Sequence, residues 1–269
     1  LQQNIEELGL PLRTIEDEWG PGQCEFTFDP RNGLEEADNL LLFRTAVKQI
    51  CRRNELHASF MTRPGLPNFF SSGWHLHQSI FDDSQKNNLF VNYSKSKAPL
   101  SDIGMNFIGG ILENTSAATA FSTPTINGYK RYAPNSFAPN YINWASEHRG
   151  ALIRVLGGPN DPGTHIENRA GEPCANPYLY MASQLAAGLE GIKNKISPGE
   201  PDNKPYQSDK KLLPRNLNES LKALEKNELF KQKFNKQFID YFIKLKSSEI
   251  RRFESYVTDW EHREYFEVF

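Results

Sequence analysis

The sequence predicts an α+β fold whose sheet is antiparallel rather than parallel. Three observations carry that reading. Residues 23–29, 73–81 and 164–170 alternate side chains with the period of a strand. Residues 37–52, 102–121 and 177–196 repeat apolar side chains with the period of a helix. From Asn216 onward the chain is Lys/Glu-rich with a helical apolar stripe, so residues 206–269 read as a helical C-terminal region.

The elements follow in order. Residues 1–10 read as the end of a helix; the chain opens on Leu1 with no signal peptide before it, and the expectation is a piece of something longer. In 23–29, Cys24, Phe26 and Phe28 fall on one face, and Gln23, Glu25 and Thr27 on the other. Leu40, Leu41, Ala46, Val47, Ile50 and Cys51 define the helix over 37–52. Residues 56–63 and 73–81 read as strands, with a loop at 66–70 marked by Pro67 and Asn68. Ser101 or Asp102 caps the helix over 102–121. Residues 123–143 are rich in Pro, Asn, Gly and aromatics, too long for a simple connection, and read as a functional lid. Strands at 150–156 and 164–170 flank a Gly/Pro/Asn/Asp turn at 157–163. Asn176 and Pro177 start a helix that runs to 196, and 197–205 is a Pro/Gly/polar linker. Leu221, Leu224, Leu229, Phe234, Phe238, Tyr241, Phe242 and Leu245 form the apolar side of the C-terminal helices, and the lysines there a solvated face.

Composition excludes several classes. A net charge of −2 lacks the basic footprint of a nucleic-acid binder. No apolar run reaches the roughly 20 residues that span a bilayer. The three cysteines, Cys24, Cys51 and Cys174, are too few and too far apart for a disulfide framework or a zinc site, and read as reduced thiols of a cytoplasmic protein. With 38% hydrophobic residues and 18 Phe the chain can build a core, which excludes global disorder.

The chemistry lies on the polar faces of the strands. His75, His77 and Ser79 share one face; His165, Glu167 and Arg169 share another; Glu25 stands opposite two phenylalanines. Any one such face is most simply a solvated one, and one histidine is most simply a structural hydrogen-bonder. Convergence of carboxylate, imidazole and guanidinium on several strands points further, to Mg²⁺ or Mn²⁺ beside a phosphate or carboxylate. Neither G-x-x-x-x-G-K-[ST] nor G-x-G-x-x-G occurs, so a bound nucleotide must be held by metal and arginine instead.

Four ordered motifs carry a resemblance from Glu18 to the C-terminus. Glu18-Trp-Gly-Pro-Gly-Gln-Cys-Glu25, Ser72-Gly-Trp-His-Leu-His-Gln-Ser79, Asn127-Gly-Tyr-Lys-Arg-Tyr132, and His165-Ile-Glu-Asn-Arg169 followed by Ala175-Asn-Pro-Tyr178 resemble the catalytic domain of glutamine synthetase. The resemblance implies a curved antiparallel half-barrel flanked by helices, ATP as co-substrate and two or more Mg²⁺ or Mn²⁺ sites. By position it implies Glu18 and Glu25 on the glutamate-side metal, and His75 and Glu167 on the nucleotide-side metal. It implies Arg131 and Arg169 on glutamate, Arg149 and Arg154 on ATP phosphates, and His77 and Ser79 near them, with Arg131 and Arg149 closest to the chemistry. It also implies a γ-glutamyl phosphate intermediate and a homo-oligomeric double ring.

Three departures qualify the resemblance. Phe137, in the stretch Tyr129 to Pro139, takes the place of the carboxylate that collects ammonium in ammonia-using members. That form looks more like the type III-like and γ-glutamyl-amide branch, so the expected nucleophile is an organic amine such as a short alkylamine. Leu66-Pro-Asn-Phe-Phe70 replaces the usual Gly/Asn-rich substrate loop, which puts glutamate itself in question. The family's N-terminal β-grasp domain and early E-x-E strand are not found in these residues, so residues 1–269 alone are expected to lack biosynthetic activity. A non-catalytic scaffold or sensor of the same superfamily, or an unrelated metal-dependent phosphotransferase, are the alternative readings.

Overall fold

The computed structural model describes residues 1–94, 98–133 and 136–269. Short α1 (Gln2–Glu7) leads into an antiparallel ribbon of β1 (Leu12–Asp17) and β2 (Cys24–Phe28). Long α2 (Gly33–Arg53) packs against that ribbon. Phe43 meets Phe26 and Phe28 edge-on, at 5.0 and 5.1 Å between ring centroids. The predicted face thus buries its phenylalanines in a small core with Ile5, Leu10, Val47 and Cys51, whereas Cys24 stays exposed at the ribbon's end. β1 goes unread in the sequence because its apolar side chains, Leu12 and Ile15, are three apart and share no period-2 face.

The second sheet has four short strands: β3 (Leu76–Gln78), β4 (Trp144–Ser146), β5 (Ile153–Leu156) and β6 (His165–Asn168), in the order β3-β6-β5-β4. β3–β6 and β5–β6 are antiparallel, but β4–β5 is parallel, so the sheet is mixed. The fold is α+β as expected, and among the described residues its strands form two separate small sheets with no closed barrel.

The strand expected over 56–63 does not form. Its backbone bonds go elsewhere: Leu56 N–H donates to the Cys51 carbonyl, Ser72 N–H donates to the Thr62 carbonyl, and at its end Arg63 N–H donates to Asn127 Oδ1 at 2.7 Å while Asn127 Nδ2 returns a bond to the Arg63 carbonyl at 2.9 Å. The stretch 73–81 is ladder-paired only over Leu76–Gln78, since Trp74 N–H goes to the Gly171 carbonyl and Phe81 makes one isolated bridge with Asn88.

Two helices behave as read. α3 (Asp102–Ser122) starts at Ser101, whose hydroxyl accepts from Gly104 N–H. α4 (Pro177–Asn194) starts at Asn176, which accepts from Leu179 N–H. These two helices cross at backbone contact. A Cβ on Gly110 would run into the Ala187 carbonyl, and one on Gly191 into the Asn106 carbonyl. The main core lies between α3, the inner face of the four-stranded sheet and the C-terminal helices α5 (Leu217–Glu225), α6 (Glu228–Phe234) and α7 (Lys236–Glu254). α7 buries Ile239 and Phe242, which turns the expected core residues Tyr241 and Leu245 outward. α8 (Asp259–Tyr265) buries nothing. Among the described residues no helix is long and apolar enough to cross a membrane.

Candidate active site

Glu167 is the centre of a charged cluster on one sheet face. β6 places it directly opposite His77 on β3 and Arg154 on β5. Its side chain is only 2% exposed. Arg169 Nη1 lies 2.5 Å from Oε1, His75 Nδ1 3.0 Å from Oε1, and Arg154 Nη1 3.4 Å from Oε2. Burial alone raises this carboxyl. The His75 hydrogen bond and the charges of His75, Arg169 and His77 override burial and hold it at about 2. Desolvation, with the charges of Arg169 and Arg131, presses His75 down to about 4 against the pull of Glu167, so its imidazole is neutral at pH 7.

The hydrogen-bond pattern assigns the tautomers. His75 donates from Nδ1 to ionised Glu167, and its Nε2 accepts from Arg131 Nη2 at 3.2 Å. His165 Nδ1 lies 2.6 Å from the Gly163 carbonyl and donates there. His165 Nε2 and His77 Nδ1 share a hydrogen bond at 3.0 Å. The remaining nitrogen of His77, Nε2, lies 3.8 Å from Glu167 Oε1. Burial lowers the His77 pKa against the pull of Glu167.

A second acidic group lies on the ribbon. β1 and β2 pair Glu16 with Glu25, and the Glu18 backbone N–H closes the turn by donating to the Gln23 carbonyl at 2.9 Å. The Glu25 carboxyl is pushed up to about 7 by desolvation and by its contact with Glu18, with Glu16 and Glu167 adding their charges. Gln23 Nε2 donates to Ser72 Oγ at 3.1 Å, tying this turn to the segment that leads into His75.

The donor chemistry fits divalent cations. Crowded carboxylates without a counter-charge suit a hard cation with oxygen ligands. Among the described residues, no three His, Cys, Asp or Glu side chains are arranged to hold an ion as they stand. The expected ligands form two pairs, Glu18 with Glu25 and His75 with Glu167.

The segment Gly128–Arg131 is a short 3-10 turn that buries Arg131. Its guanidinium donates Nη1 to the Arg169 carbonyl at 2.9 Å and presents Nη2 to His75. Below it, buried Glu172 takes Thr125 N–H and Thr125 Oγ1, both at 2.8 Å, and the hydroxyl of Thr62. Phe137 lies beyond that turn, with its carbonyl 3.5 Å from Arg169 Nη2; Pro134 and Asn135 of the expected lid lie outside the described residues. Its ring stacks on Trp19, and Trp19 also touches Phe70.

The structure brings together Glu18 with Glu25, and His75, His77, Arg131, Arg154 and Arg169 around Glu167. Ser79 lies half-buried just beyond β3. Arg149 stands exposed in the turn between β4 and β5, outside the ion pairs of Glu167. Sequence reasoning passed over Glu147, which holds Arg154 Nη2 at 2.9 Å, and over Glu172, Trp19 and Phe70. Trp19 and Phe70 stood inside stretches already singled out, so a large aromatic beside a predicted ligand was the available signal. Glu147 and Glu172 gave none, because neither sits in a periodic pattern.

The chain matches the family described as glutamine synthetase, catalytic domain, over residues 1–265. It is 46% identical over 281 aligned residues to the γ-glutamylanilide synthase of Acinetobacter sp, covering 100% of this chain and 56% of that protein. It is 36% identical to the glutamine synthetase of Methanococcus maripaludis, with 98% and 60% covered. Against the glutamine synthetase of Staphylococcus aureus strain MW2 it is 35% identical, again with 98% and 60% covered. The chain thus spans a little over half the length of the curated relatives it matches. Its ordered motifs, its clustered glutamate, histidine and arginine side chains and these likenesses agree, and the chain belongs to the glutamine synthetase catalytic-domain family.

Proposed function

We propose that the chain carries the catalytic centre of an ATP-dependent ligase that joins the γ-carboxylate of glutamate to an organic amine. One observation carries the reading. Arg154 and Arg169 both hold buried Glu167, yet among the described residues the Nε of each is buried with no acceptor. Buried guanidinium N–H groups without partners suit incoming oxyanions.

In this reading Arg131 and Arg169 take the carboxylates or acyl group of glutamate. Arg149 and Arg154, with His77 and Ser79, take the phosphates of ATP. Glu18 and Glu25 would hold one Mg²⁺ or Mn²⁺, and His75 and Glu167 another. Bound there, the cations supply charge neutralisation between two anionic reactants. A carboxylate is a poor electrophile, so its oxygen first attacks the γ-phosphorus of ATP and ADP leaves with the P–O electron pair. The amine lone pair then attacks the γ-carbonyl carbon. A C–N bond forms, the C–O bond breaks, phosphate leaves with that electron pair, and the nitrogen gives its extra proton to solvent. The arginines hold the two anions in line, and the 123–143 segment keeps water from the acyl phosphate. The two small sheets are then parts of the family's curved half-barrel.

The amine is favoured over ammonia by Phe137. A phenyl ring neither accepts a proton nor draws an ammonium ion as a carboxylate does. The test is ADP release by the full-length protein that carries these residues, with Mg²⁺, ATP and glutamate, with and without amine; residues 1–269 alone are expected to give none. Amine-dependent release with a γ-glutamyl amide as product is expected, with kcat/KM for organic amines above that for ammonium. ATP binding without any turnover would instead leave a sensor or scaffold.

A further inference from the structure

We propose that Glu172 is a positioning residue for Arg131, and that its grip on the Gly128–Arg131 turn sets the affinity for the carboxylate Arg131 takes. The proposal deepens the ligase reading above and rests on it.

Arg131 holds its charge in a dry place with no carboxylate beside it. The residue is 5% exposed, and among the described residues it forms no ion pair. Its Nη1 donates instead to the carbonyls of Arg169, Ala170 and Gly171, at 2.9, 3.3 and 3.3 Å, and its Nη2 faces His75. A buried guanidinium met only by neutral acceptors suits an incoming carboxylate. The slot around it is tight. A Cβ on Gly73 would lie 2.6 Å from Nη2, so the head of the side chain has little room to shift.

The root of the side chain needs a separate anchor. It leaves a 3-10 turn of four residues, whose own hydrogen bonds are few and of poor geometry. Glu172 supplies the anchor. Its buried carboxyl takes Thr125 N–H and Thr125 Oγ1, both at 2.8 Å, just ahead of the turn, and the hydroxyl of Thr62 from another segment. Gly128 lies so close to this carboxyl that a Cβ there would run into it. Glu172 is itself fixed, since its N–H donates to the Ser122 carbonyl at the end of α3, at 3.0 Å. Residues 169–172 thus hold Arg131 at both ends. Three carbonyls grip the guanidinium, and the Glu172 side chain grips the turn from which it grows. A turn released by Glu172 would move while the carbonyls stay, and the guanidinium would lose its aim. Arg154, which the ligase reading gives to the ATP phosphates, is held by Glu147 and Glu167 instead. The loss is therefore confined to the acid substrate.

The test uses the full-length protein with Mg²⁺, ATP, glutamate and an amine. Glu172→Ala is expected to raise KM for glutamate about tenfold, with kcat and KM for ATP within about twofold of wild type. Glu172→Gln, which keeps an acceptor for Thr125 N–H, is expected to restore most of the affinity. Thr62→Val removes one bond from the same carboxyl and is expected to raise KM for glutamate about threefold, which carries the test if Glu172→Ala does not fold. Amide exchange read by mass spectrometry supplies a measure independent of turnover. Residues 128–132 are expected to exchange faster in Glu172→Ala or Thr62→Val, with α3 and α4 unchanged. Unchanged exchange in the turn, or equal losses in KM for glutamate, KM for ATP and kcat, overturns the proposal. Faster exchange in the turn with no turnover by the wild-type protein upholds the hold of Glu172 on the turn and overturns the ligase reading. Unchanged exchange with no turnover overturns both.

Discussion

At Glu172 a carboxyl group is sealed from water beneath the Gly128–Arg131 turn, with three donors from Thr62 and Thr125. Burial raises its pKa despite those bonds. An acid held above its unfolded value binds its proton more tightly when folded. Its contribution to stability is therefore full below the unfolded value and fades as pH rises through the folded one. Glu172→Gln keeps an acceptor for Thr125 N–H and offers donors to the two hydroxyls. The variant is expected to match wild type in mild acid and to become the more stable of the two toward neutral pH, as urea denaturation at both pH values will show. Glu172→Ala orphans all three donors and is expected to cost about 1–3 kcal/mol. At the site, His165 is hydrogen-bonded to His77, which in turn faces Glu167. On the ligase reading, His165→Ala in the full-length protein is expected to weaken the apparent affinity for Mg·ATP about tenfold with a smaller change in kcat. An unchanged KM would show that His77 needs no such support. His165 was visible in the sequence as a member of the Glu167 face, but its role was not. That role depends on the Gly163 carbonyl, a contact no alternation pattern encodes.

The helices were legible where local rules suffice. Ser101 and Asn176 cap α3 and α4 as their side chains predict, and the ends fall within two residues of expectation. Strands were less so, because short ladders here compete with side-chain bonds to backbone, as Asn127 does with Arg63. The crossing of α3 and α4 was also hidden, since a glycine in a helix reads only as a weak position until its neighbour is known. There Gly191 faces the Asn106 carbonyl, and Gly110 the Ala187 carbonyl. These are backbone obstacles that cannot rotate aside. Gly191→Ala is expected to lower unfolding free energy by about 1–3 kcal/mol, despite the better helix propensity of alanine. A gain in stability would show that the two helices can part at no cost.

Across the molecule, burial is unequal. α3 lies at the centre of the main core, the ribbon and α2 share a smaller one, and α8 buries nothing. Hydrogen exchange is expected to follow that order, with α3 amides slowest and α8 amides first. Equal protection of α8 and α3 would mean that α8 is covered in solution by something not described here. The same inequality separates the four tryptophans: Trp144 is buried in the core, Trp74 is half-buried, and Trp19 is 73% and Trp260 56% exposed. Trp19 and Trp260 therefore emit from a watery environment and Trp144 from a dry one. With Trp260 replaced by Phe, the red edge of the emission spectrum belongs chiefly to Trp19. The indole that stacks on Phe137 is thus a built-in optical reporter. Its shift to the blue, followed in stopped flow, would time the covering of the site without any added label.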